Sequence, residues 1–279
     1  MTQLKVACIQ MRSGVEIAPN ISAATALIND AADQGAQLIA TPEMTSLIDI
    51  RPGKARPKIV SETEDTALAA FQRLAKARKV WLLIGSLAVT LDKDPRLANR
   101  SFLLAPDGTI HARYDKIHMF DVEVGDGQSY RESKSYAPGA CGTLAKTPLG
   151  NIGMTICYDI RFGGLYHTLA QAGAELITCP AAFTQTTGKA HWHTLIRARA
   201  IETGAFLLAP AQTGQHEDGR QTFGHSLIVS PWGEILAEAA EDSPSVLLAD
   251  LDLADVAKAR ARIPSLNAGR SEYKLDILS

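Results

Sequence analysis

The sequence predicts an α/β fold in which two similar helix-and-sheet layers pack face to face. Short buried strands alternate with amphipathic helices, so the hydrophobic period switches repeatedly between about 2 and about 3.6 residues. Three junctions, at 35–40, 173–178 and 204–209, have nearly the same sequence: a glycine that ends a helix, then a buried strand. Because this unit recurs in both halves of the chain, the halves are expected to share one plan.

The first half is predicted to contain three buried strands and two helices before a hairpin. Asn20 is expected to cap the first helix and Gly35 to end it. Ser61 and Glu64 have the spacing of a capping box that opens the second helix. The strands are expected at 4–10, 36–40 and 80–89, the hairpin strands at 101–105 and 109–114, and a long aperiodic loop, usually a functional feature in a compact domain, between 120 and 142.

The second half repeats this order of strands and helices. Strands are expected at 151–156, 174–179, 205–211 and 246–251, a hairpin at 222–230 and 234–238, and helices at 164–173, 189–203 and 253–262. Pro264 stops the last helix, because proline cannot continue the helical hydrogen bonds. Residues 265–279 have too little periodicity to predict more than a C-terminal tail.

Length and composition favour a single domain over residues 1–279. With 279 residues, 46% of them hydrophobic, the chain can bury most of the surface that its unfolded form exposes. The formal net charge is −2, and acidic and basic residues are interspersed, which gives no electrostatic footprint for nucleic acid. The expected partners are therefore small molecules.

Cysteine usage and hydropathy predict a reduced, cytoplasmic protein without a membrane segment. The four cysteines form no CxxC pair, which argues against a disulfide framework or a thiolate zinc site. The N-terminus runs straight into a strand pattern, and no apolar run approaches the roughly 18 residues of a spanning helix. His191 and His193 lie two apart on a predicted helix, so their side chains point about 200° apart and do not share an ion easily. No metal or cofactor is expected.

Three polar side chains stand where predicted strands end. Cys157 closes the strand 151–156, and the turn out of a strand exposes a side chain and donates backbone N–H groups. Glu43 follows a buried strand and a proline, and Lys116 follows a hairpin strand. Taken singly, each has an ordinary alternative: a small core hydrophobe, a solvated loop glutamate and a surface lysine.

Together, a cysteine, a glutamate and a lysine are the parts of an acyl-transfer site that needs neither histidine nor metal. A thiol is a poor nucleophile until it is deprotonated, so it needs a base or a cation nearby. Glu43 and Lys116 supply both. At these residues the chain resembles the nitrilase, or carbon–nitrogen hydrolase, superfamily, whose motifs are matched in order by Pro42-Glu43, Tyr114-Asp-Lys-Ile-His118 and Cys157-Tyr-Asp-Ile-Arg161.

The resemblance implies a four-layer αββα sandwich and a role for each site residue. Glu43 would take the proton of Cys157, return it to the leaving amine and then activate water against a thioester. Burial is expected to raise the pKa of Glu43 toward neutrality for this work. Lys116 and the backbone N–H of Tyr158 would hold the oxyanion, and Glu132, in the long loop, would brace the lysine and the substrate.

The chain departs from the superfamily pattern in one place. Gly163-Gly164 stands where many relatives have Pro-Glu, which is expected to loosen the start of the following helix. Members of the superfamily pair through the helices after the nucleophile and through the C-terminal tail, here 164–173, 189–203 and 265–279. At least a homodimer is therefore expected.

The resemblance also narrows the reaction to hydrolysis of a small carboxylate-bearing amide. Cys157-Tyr158-Asp159 differs from the Cys-Trp-Glu pattern of true nitrilases and from the Cys-Asn-Asp pattern frequent in N-carbamoyl amidases, which stay open as an alternative. Two amidase branches remain: ω-amidases, which release ammonia from 2-oxo amides, and deaminated-glutathione amidases, which cut the same acyl group from cysteinylglycine. Segments 191–203, 211–214 and 223–226 look more like the second branch. A non-catalytic scaffold that keeps the fold is the alternative from another class.

A substrate of the second branch carries a carboxylate at each end, so cations are expected on both sides of the scissile amide. Arg161 lies close in sequence to the nucleophile, and Arg220 lies in the loop 215–221, which is expected to face the leaving group. A bidentate guanidinium suits a carboxylate. These two arginines are therefore the predicted substrate-binding residues.

Overall fold

The centre of the molecule is a pair of six-stranded sheets. A computed structural model describes residues 3–123, 129–239, 242–268 and 276–277. The strands are β1 (Leu4–Gln10), β2 (Leu38–Ala40), β3 (Trp81–Thr90), β4 (Leu97–Leu104), β5 (Ile110–Asp115), β6 (Asp121–Glu123), β7 (Ser129–Arg131), β8 (Thr143–Thr147), β9 (Gly150–Met154), β10 (Leu176–Thr178), β11 (Phe206–Ala209), β12 (Thr213–Gln215), β13 (Gln221–Phe223), β14 (Leu227–Val229), β15 (Ile235–Glu238) and β16 (Ser245–Leu251). The helices are α1 (Ile17–Asp33), α2 (Thr66–Arg78), α3 (Gly163–Gln171), α4 (Gln185–Thr203), α5 (Ala254–Arg262) and α6 (Ser265–Ala268), with 3₁₀ turns at Arg56–Lys58, Glu132–Lys134 and Cys157–Arg161.

Both sheets are built on the same plan. The first has the strand order β16-β1-β2-β3-β4-β5. The second, taken from the matching edge, has the order β8-β9-β10-β11-β14-β15. In the first sheet β1, β2 and β3 run parallel, and in the second β9, β10 and β11 do. The repeated junctions of the sequence lead into β2, β10 and β11, so the repeat in sequence corresponds to a repeat in topology.

Alternate residues of β1 show how the layers are held together, because successive side chains of a strand point to opposite faces. Val6 belongs to a core cluster that contains Ile152 of the second sheet. Ala7 belongs to a separate cluster with buried residues of α1 and α2. On the other side of the second sheet α3 and α4 pack, with Trp192 fully buried. The order of layers is helix, sheet, sheet, helix, which confirms the predicted αββα sandwich.

Two helix starts differ from the sequence prediction. Asn20 lies inside α1 rather than at its start, and its buried side chain hydrogen-bonds the backbone of Gly14. Ser61 does not cap α2, because its hydroxyl donates to the Glu64 side chain. Asp65 caps that helix instead, and its carboxylate accepts a backbone N–H of the first turn at 2.8 Å. Asn20 also donates to the Ser46 carbonyl, a partner distant in sequence, whereas Ser61 binds the predicted Glu64 before the helix begins.

The second half differs at the starts of its two long helices. The Thr184 hydroxyl accepts the Thr187 N–H at 3.3 Å, so α4 begins four residues earlier than the predicted 189. Helix α3 begins at Gly163, where an added Cβ would lie 3.2 Å from the guanidinium of Arg199. Gly163, the first of the two glycines that stand in place of Pro-Glu, therefore leaves room for the buried Arg199.

Two predicted irregular segments are only partly described. The segment 120–142 contains the short hairpin of β6 and β7 and a 3₁₀ turn, while 124–128 lie outside the described residues. Of the predicted tail, 265–268 form α6, and Gln171 of α3 donates to the Leu266 carbonyl at 3.2 Å. The remaining tail lies outside the described residues apart from 276–277. Among the helices of the described ranges, none combines the length and apolar character needed to cross a membrane.

Candidate active site

The predicted glutamate, lysine and cysteine lie together at the ends of three strands. Glu43 follows β2 and Lys116 follows β5 in the first sheet, and Cys157 follows β9 in the second. All three side chains are buried. Cys157 and Glu43 line the same cavity, where the Glu43 charge acts on the thiol, and Lys116 Nζ is 3.0 Å from Glu43 Oε1. The packing of one sheet on the other brings together residues that are distant in sequence.

The nucleophile turn, residues 156–161, places Cys157 in a strained backbone conformation. Cys157 has a φ of 48°, in the left-handed region that L-residues seldom adopt. Its N–H donates to the Pro180 carbonyl at 2.9 Å, and a 3₁₀ turn follows. The N–H of Tyr158 donates to no residue in the described ranges. That donor is available beside the thiol for a developing oxyanion.

Asp159 connects the nucleophile turn to the segment that carries Lys116. Its buried carboxylate accepts the Tyr114 O–H at 2.7 Å and the Ile156 N–H at 2.9 Å, and it lies 2.7 Å from His118 Nδ1. In the sequence, Tyr114, His118 and Asp159 only marked the motifs around Lys116 and Cys157. In the structure they fix the separation between the lysine and the cysteine.

The acid turn, residues 41–45, is held by side chains from distant segments. Met44 has a φ of 56°, which is also left-handed. The Gln212 amide donates to the Glu43 carbonyl at 3.0 Å, and Ser86 Oγ accepts the Met44 N–H at 2.9 Å. Gly85 permits this close approach, because a Cβ there would lie 2.1 Å from a carbonyl oxygen of the turn. These contacts leave the turn little freedom to reorient Glu43.

Both oxygens of the Glu43 carboxylate accept hydrogen bonds from the protein. Oε1 accepts from Lys116 Nζ at 3.0 Å and from Asn99 Nδ2 at 2.9 Å, and Oε2 accepts from the Ala182 N–H at 2.9 Å. Lys116 is shared with Glu132, whose two oxygens lie 3.0 and 2.9 Å from Nζ. One ammonium therefore lies between two carboxylates, and these contacts orient the Glu43 side chain.

Charges in this cluster decide its resting protonation state. Burial alone would raise the pKa of Glu43, but the charge of Lys116 and hydrogen bonds from Cys157 and Lys116 bring that pKa below its usual 4.5. The expectation that the pKa of Glu43 is raised is therefore wrong, because the ammonium outweighs the burial. Burial and the Glu43 charge raise the pKa of the Cys157 thiol. Burial would lower the pKa of Lys116, but the charges of Glu132 and Glu43 raise it. The resting site at neutral pH holds a thiol, a carboxylate and an ammonium.

Comparison with known families gives a match that spans most of the chain. The carbon–nitrogen hydrolase family matches residues 5–261. The chain belongs to this family. It is 38% identical over 272 residues to the deaminated glutathione amidase of Yersinia enterocolitica, covering 97% of this chain and 94% of that protein. It is 33% identical over 273 residues to the omega-amidase NIT2 of Homo sapiens, covering 98% and 97%. The protein is accordingly a hydrolytic enzyme that acts on amides.

Solved structures of other carbon–nitrogen hydrolases have the same fold. The C. elegans NitFhit protein superimposes with a TM-score of 0.87 at 32% identity, covering 96% of this chain. This chain spans 65% of the NitFhit chain, about two thirds of it. Nit3 of Saccharomyces cerevisiae, described as a member of the nitrilase superfamily, gives a TM-score of 0.85 at 27% identity and covers 94% of each chain. The predicted nitrilase-like fold is confirmed.

The site of this carbon–nitrogen hydrolase opens into a cavity of about 740 Å³. Glu43, Lys116, Glu132, Cys157 and Tyr158 all line it. Five basic residues besides Lys116 and Arg220 line the same cavity: Arg51, Arg56, Arg96, Arg131 and Lys134. Three of them are neutralised by ion pairs, Arg51 with Asp49, Arg96 with Asp94 and Arg131 with Glu123. The cavity is large and cationic enough for an anionic substrate.

The two predicted substrate-binding arginines differ in position. Arg220 lines the cavity, where its Nη2 donates to the Ala182 carbonyl at 2.9 Å and its buried Nε has no partner among the described residues. Arg161 does not line the cavity. Its guanidinium lies 5.9 Å from the ring centre of Tyr158 and 5.7 Å from that of Phe183, and those two rings form part of the cavity wall. The geometry thus supports Arg220 directly and places Arg161 behind the wall.

Sequence reasoning missed two residues that position the predicted glutamate. Asn99 of β4 donates to Glu43 and also lies 3.3 Å from Glu132 Oε1. Gln212 is fully buried and holds the backbone of the acid turn. Gln212 directly follows a predicted apolar strand, and that exception to the hydrophobic pattern was an available signal, whereas Asn99 stands beside Arg100 and Ser101 and gave none.

Proposed function

We propose that Cys157 attacks the amide carbonyl while Glu43 takes the thiol proton. The observation that carries this proposal is the burial of the Cys157 thiol in one cavity with the Glu43 carboxylate, whose pKa is held low by Lys116 at 3.0 Å. Because the pKa of the resting thiol is raised, the proton moves as the carbon–sulfur bond forms and no free thiolate accumulates. Lys116 and the Tyr158 N–H then stabilise the oxyanion of the tetrahedral intermediate.

Collapse of that intermediate returns the proton to the leaving amine. Glu43, now a carboxylic acid, donates to the amine nitrogen, and the acyl group stays on Cys157 as a thioester. Water replaces the amine, Glu43 takes a proton from it, and the resulting attack releases the carboxylic acid and the thiol. Glu132 keeps Lys116 in place through contacts of 2.9 and 3.0 Å, so its role is positioning.

We propose deaminated glutathione as the substrate. Support comes from relatives that carry this name, among them the Synechocystis protein, 39% identical over 265 residues that make up 93% of this chain. The cavity of about 740 Å³ has room for a cysteinylglycine leaving group, which ω-amides lack. The unpaired Nε of Arg220 provides a donor for a substrate carboxylate. The omega-amidase reaction is the second candidate, supported by the 33% identity to NIT2.

The test is a comparison of kcat/KM for deaminated glutathione and 2-oxoglutaramate on one preparation. A preference for deaminated glutathione is expected. A tenfold or greater preference for 2-oxoglutaramate, about 1.4 kcal/mol in transition-state binding, would assign the chain to the ω-amidases. An N-carbamoyl amino acid in the same panel tests the third alternative. No turnover of any amide by folded protein would favour the scaffold alternative, against which the complete set of Glu43, Lys116 and Cys157 already argues.

Arg220→Ala sharpens this test because it separates the two ends of the substrate. Loss of a charged hydrogen bond is expected to cost about 1.5–3 kcal/mol with deaminated glutathione and much less with 2-oxoglutaramate. Arg51→Ala is the matched control, since Arg51 lines the same cavity but is paired with Asp49. Equal losses for both substrates would place Arg220 at the shared acyl group instead of the leaving group.

We also propose a cytoplasmic homodimer in which residues 1–279 form one domain. The proposed contact surfaces are α3, α4 and the C-terminal tail, and Ile201 on α4 is 53% exposed in the single chain. Pairing would cover this apolar side chain. Light scattering at micromolar concentration should give about twice the chain mass of 29.9 kDa, and a mass near 29.9 kDa would contradict the dimer.

A further inference from the structure

Away from the active site, two histidines and a glutamate from different elements converge. His193 lies on α4, His225 precedes β14 and Glu238 ends β15. His193 Nε2 and His225 Nδ1 each lie 2.9 Å from Glu238 Oε1. One ligand atom from each residue lies within 4.8 Å of the other two. Sequence spacing does not reveal this cluster, because its members come from three separate segments.

We propose that His193, His225 and Glu238 form a binding site for a divalent transition-metal ion, with zinc as the expected occupant. Two imidazoles and one carboxylate are a common zinc ligand set, with metal–ligand distances of about 2.0–2.2 Å. Tetrahedral coordination at these distances separates neighbouring ligand atoms by about 3.3 Å. The contacts of 2.9 Å would therefore open slightly to admit the ion, and the two histidine nitrogens, which lie within 4.8 Å of each other, would adjust to the same separation.

The backbone at His225 is already fixed in the required position. His225 has a φ of 51°, a left-handed conformation that costs energy in a residue other than glycine. Its carbonyl accepts the Trp192 Nε1–H at 2.7 Å, and its ring stacks on Phe223 with 4.4 Å between ring centres. Because Trp192 is adjacent to His193 on α4, this hydrogen bond also sets the separation of the two histidines. The ligands are thus held before any ion arrives.

Access and charge at the cluster suit a cation from solvent. The side chains are partly exposed, between 28% and 35%. Glu238 Oε1 is in contact with both histidine rings, so a carboxylate oxygen already lies between the two nitrogen ligands. His225 also lines a cavity of about 320 Å³ together with Asp242, which leaves space for water as a further ligand. Lys189 lines this cavity too and is the opposing charge that limits the affinity.

His191 provides a matched control on the same helix. Its Nδ1 lies 3.3 Å from Arg161 Nη2 and not near Glu238, as the divergence of positions two apart on a helix requires. The local spacing of this pair and of the cysteines predicted no metal, because it does not show contacts between separate segments. If hydrogen bonds were the sole function of the cluster, the protein would take up no ion there. Metal uptake therefore separates a metal site from a purely hydrogen-bonded cluster.

The experiment is titration of tag-free, metal-stripped protein with Zn²⁺ and Co²⁺. We expect one ion per chain at this site by calorimetry, a rise in Tm with Zn²⁺, and Co²⁺ d–d absorption without the thiolate-to-cobalt band that binding at Cys157 would give. His193→Asn and Glu238→Gln should each weaken binding more than about tenfold, while His191→Asn should leave it unchanged.

Three results would overturn the proposal. The first is uptake that occurs only with a thiolate-to-cobalt band, and the second is no uptake at all. The third is equal affinity for the wild type, His193→Asn and Glu238→Gln. Far-ultraviolet circular dichroism of each metal-free variant separates loss of the site from loss of the fold, and Glu238→Gln is nearly isosteric, so it serves as the variant least prone to unfold.

Discussion

The acid turn and the nucleophile turn both follow strands of the parallel part of a sheet but are held in different ways. Each follows a strand with a parallel neighbour, and each contains a left-handed residue other than glycine, Met44 in one and Cys157 in the other. In the acid turn, Gln212 and Ser86 bind the backbone beside the Glu43 carboxylate, the proposed base. In the nucleophile turn, the strained residue is the proposed nucleophile, and the next N–H has no acceptor within the described chain.

This difference corresponds to the work proposed for each side. A base that transfers a proton in both halves of a reaction needs one orientation throughout, which the distant hydrogen bonds of the acid turn provide. A nucleophile needs an open approach and a free donor where the oxyanion develops. The strain, of the order of 1–3 kcal/mol at each left-handed residue, is therefore placed where it fixes a reacting group.

The largest expected effect is that of Cys157→Ala on the nucleophile turn. Removal of the sulfur eliminates the nucleophile, so turnover of any amide should fall to background. Because a thiol-to-methyl change is nearly isosteric, the Tm should stay close to that of the wild type. Cys141→Ala, at an exposed cysteine outside the site, is the control and should keep full activity. Activity in Cys157→Ala together with its loss in Cys141→Ala would reverse the assignment.

Glu43→Gln removes the base from the acid turn but keeps its shape. The amide can neither accept the thiol proton nor return it, so kcat/KM should fall by about 10² to 10⁴. Glu132→Gln, at a carboxylate that contacts Lys116 but serves no proton transfer, should lose less. Steady-state kinetics of both variants measure the difference, and a larger loss for Glu132→Gln would exchange the roles of the two glutamates.

Lys116→Ala tests the ammonium that connects the two turns. If its charge serves the oxyanion, kcat should fall by about 10² to 10³ with a smaller change in KM. The variant also leaves two carboxylates without their shared cation, which should cost about 3–5 kcal/mol of stability. Activity and thermal unfolding are therefore measured together. An effect confined to KM would make Lys116 a substrate-binding residue.

Gln212→Ala loosens the acid turn without touching a reacting atom. The Glu43 carbonyl loses its donor, so the free energy of unfolding should fall by about 1–3 kcal/mol and kcat should fall less than in Glu43→Gln. Gln72→Ala is the matched control, since Gln72 donates to the Gly108 carbonyl at 3.0 Å away from the site. Equal kcat in the two variants would show that the acid turn does not need this support.

The smallest expected effect is that of pH. Glu43 loses its basic form only as the pH falls through a pKa below 4.5, and the raised pKa values of Cys157 and Lys116 exclude their titration below 9.0. The kcat/KM should therefore be nearly constant from about pH 5 to about pH 9. The stability that Glu43 contributes is present above its unfolded pKa and is lost as the pH falls. An acid limb centred near pH 6.5 would contradict the low pKa of Glu43.

The layers and the meeting of Glu43, Lys116 and Cys157 could be predicted because their signals are local. Buried strands and amphipathic helices have their own periods, and each of these three residues stands in a short motif. The cap at Asn20 was wrong because its buried side chain also donates to the Ser46 carbonyl, a contact distant in sequence that local spacing cannot report. The cap at Ser61 was wrong because the Ser61 and Glu64 side chains bind each other and Asp65 caps the helix.

The missing parts of the site depend on which segments the fold brings together. Asn99 and Gln212 act only because β4 and the segment after β11 reach Glu43. The pKa of Glu43 was predicted in the wrong direction because burial is readable from the sequence, whereas the 3.0 Å contact with Lys116 is not. The cluster of His193, His225 and Glu238 is a product of the same long-range packing.

The most direct test of the account is mass spectrometry of wild-type enzyme quenched in acid during its first turnover. With deaminated glutathione and with 2-oxoglutaramate, the account predicts the same 2-oxoglutaryl thioester on the peptide that contains Cys157, because the two substrates share their acyl group. An adduct on another cysteine, an adduct that retains the leaving group, or a completed first turnover with no protein-bound acyl group at any quench time would contradict it.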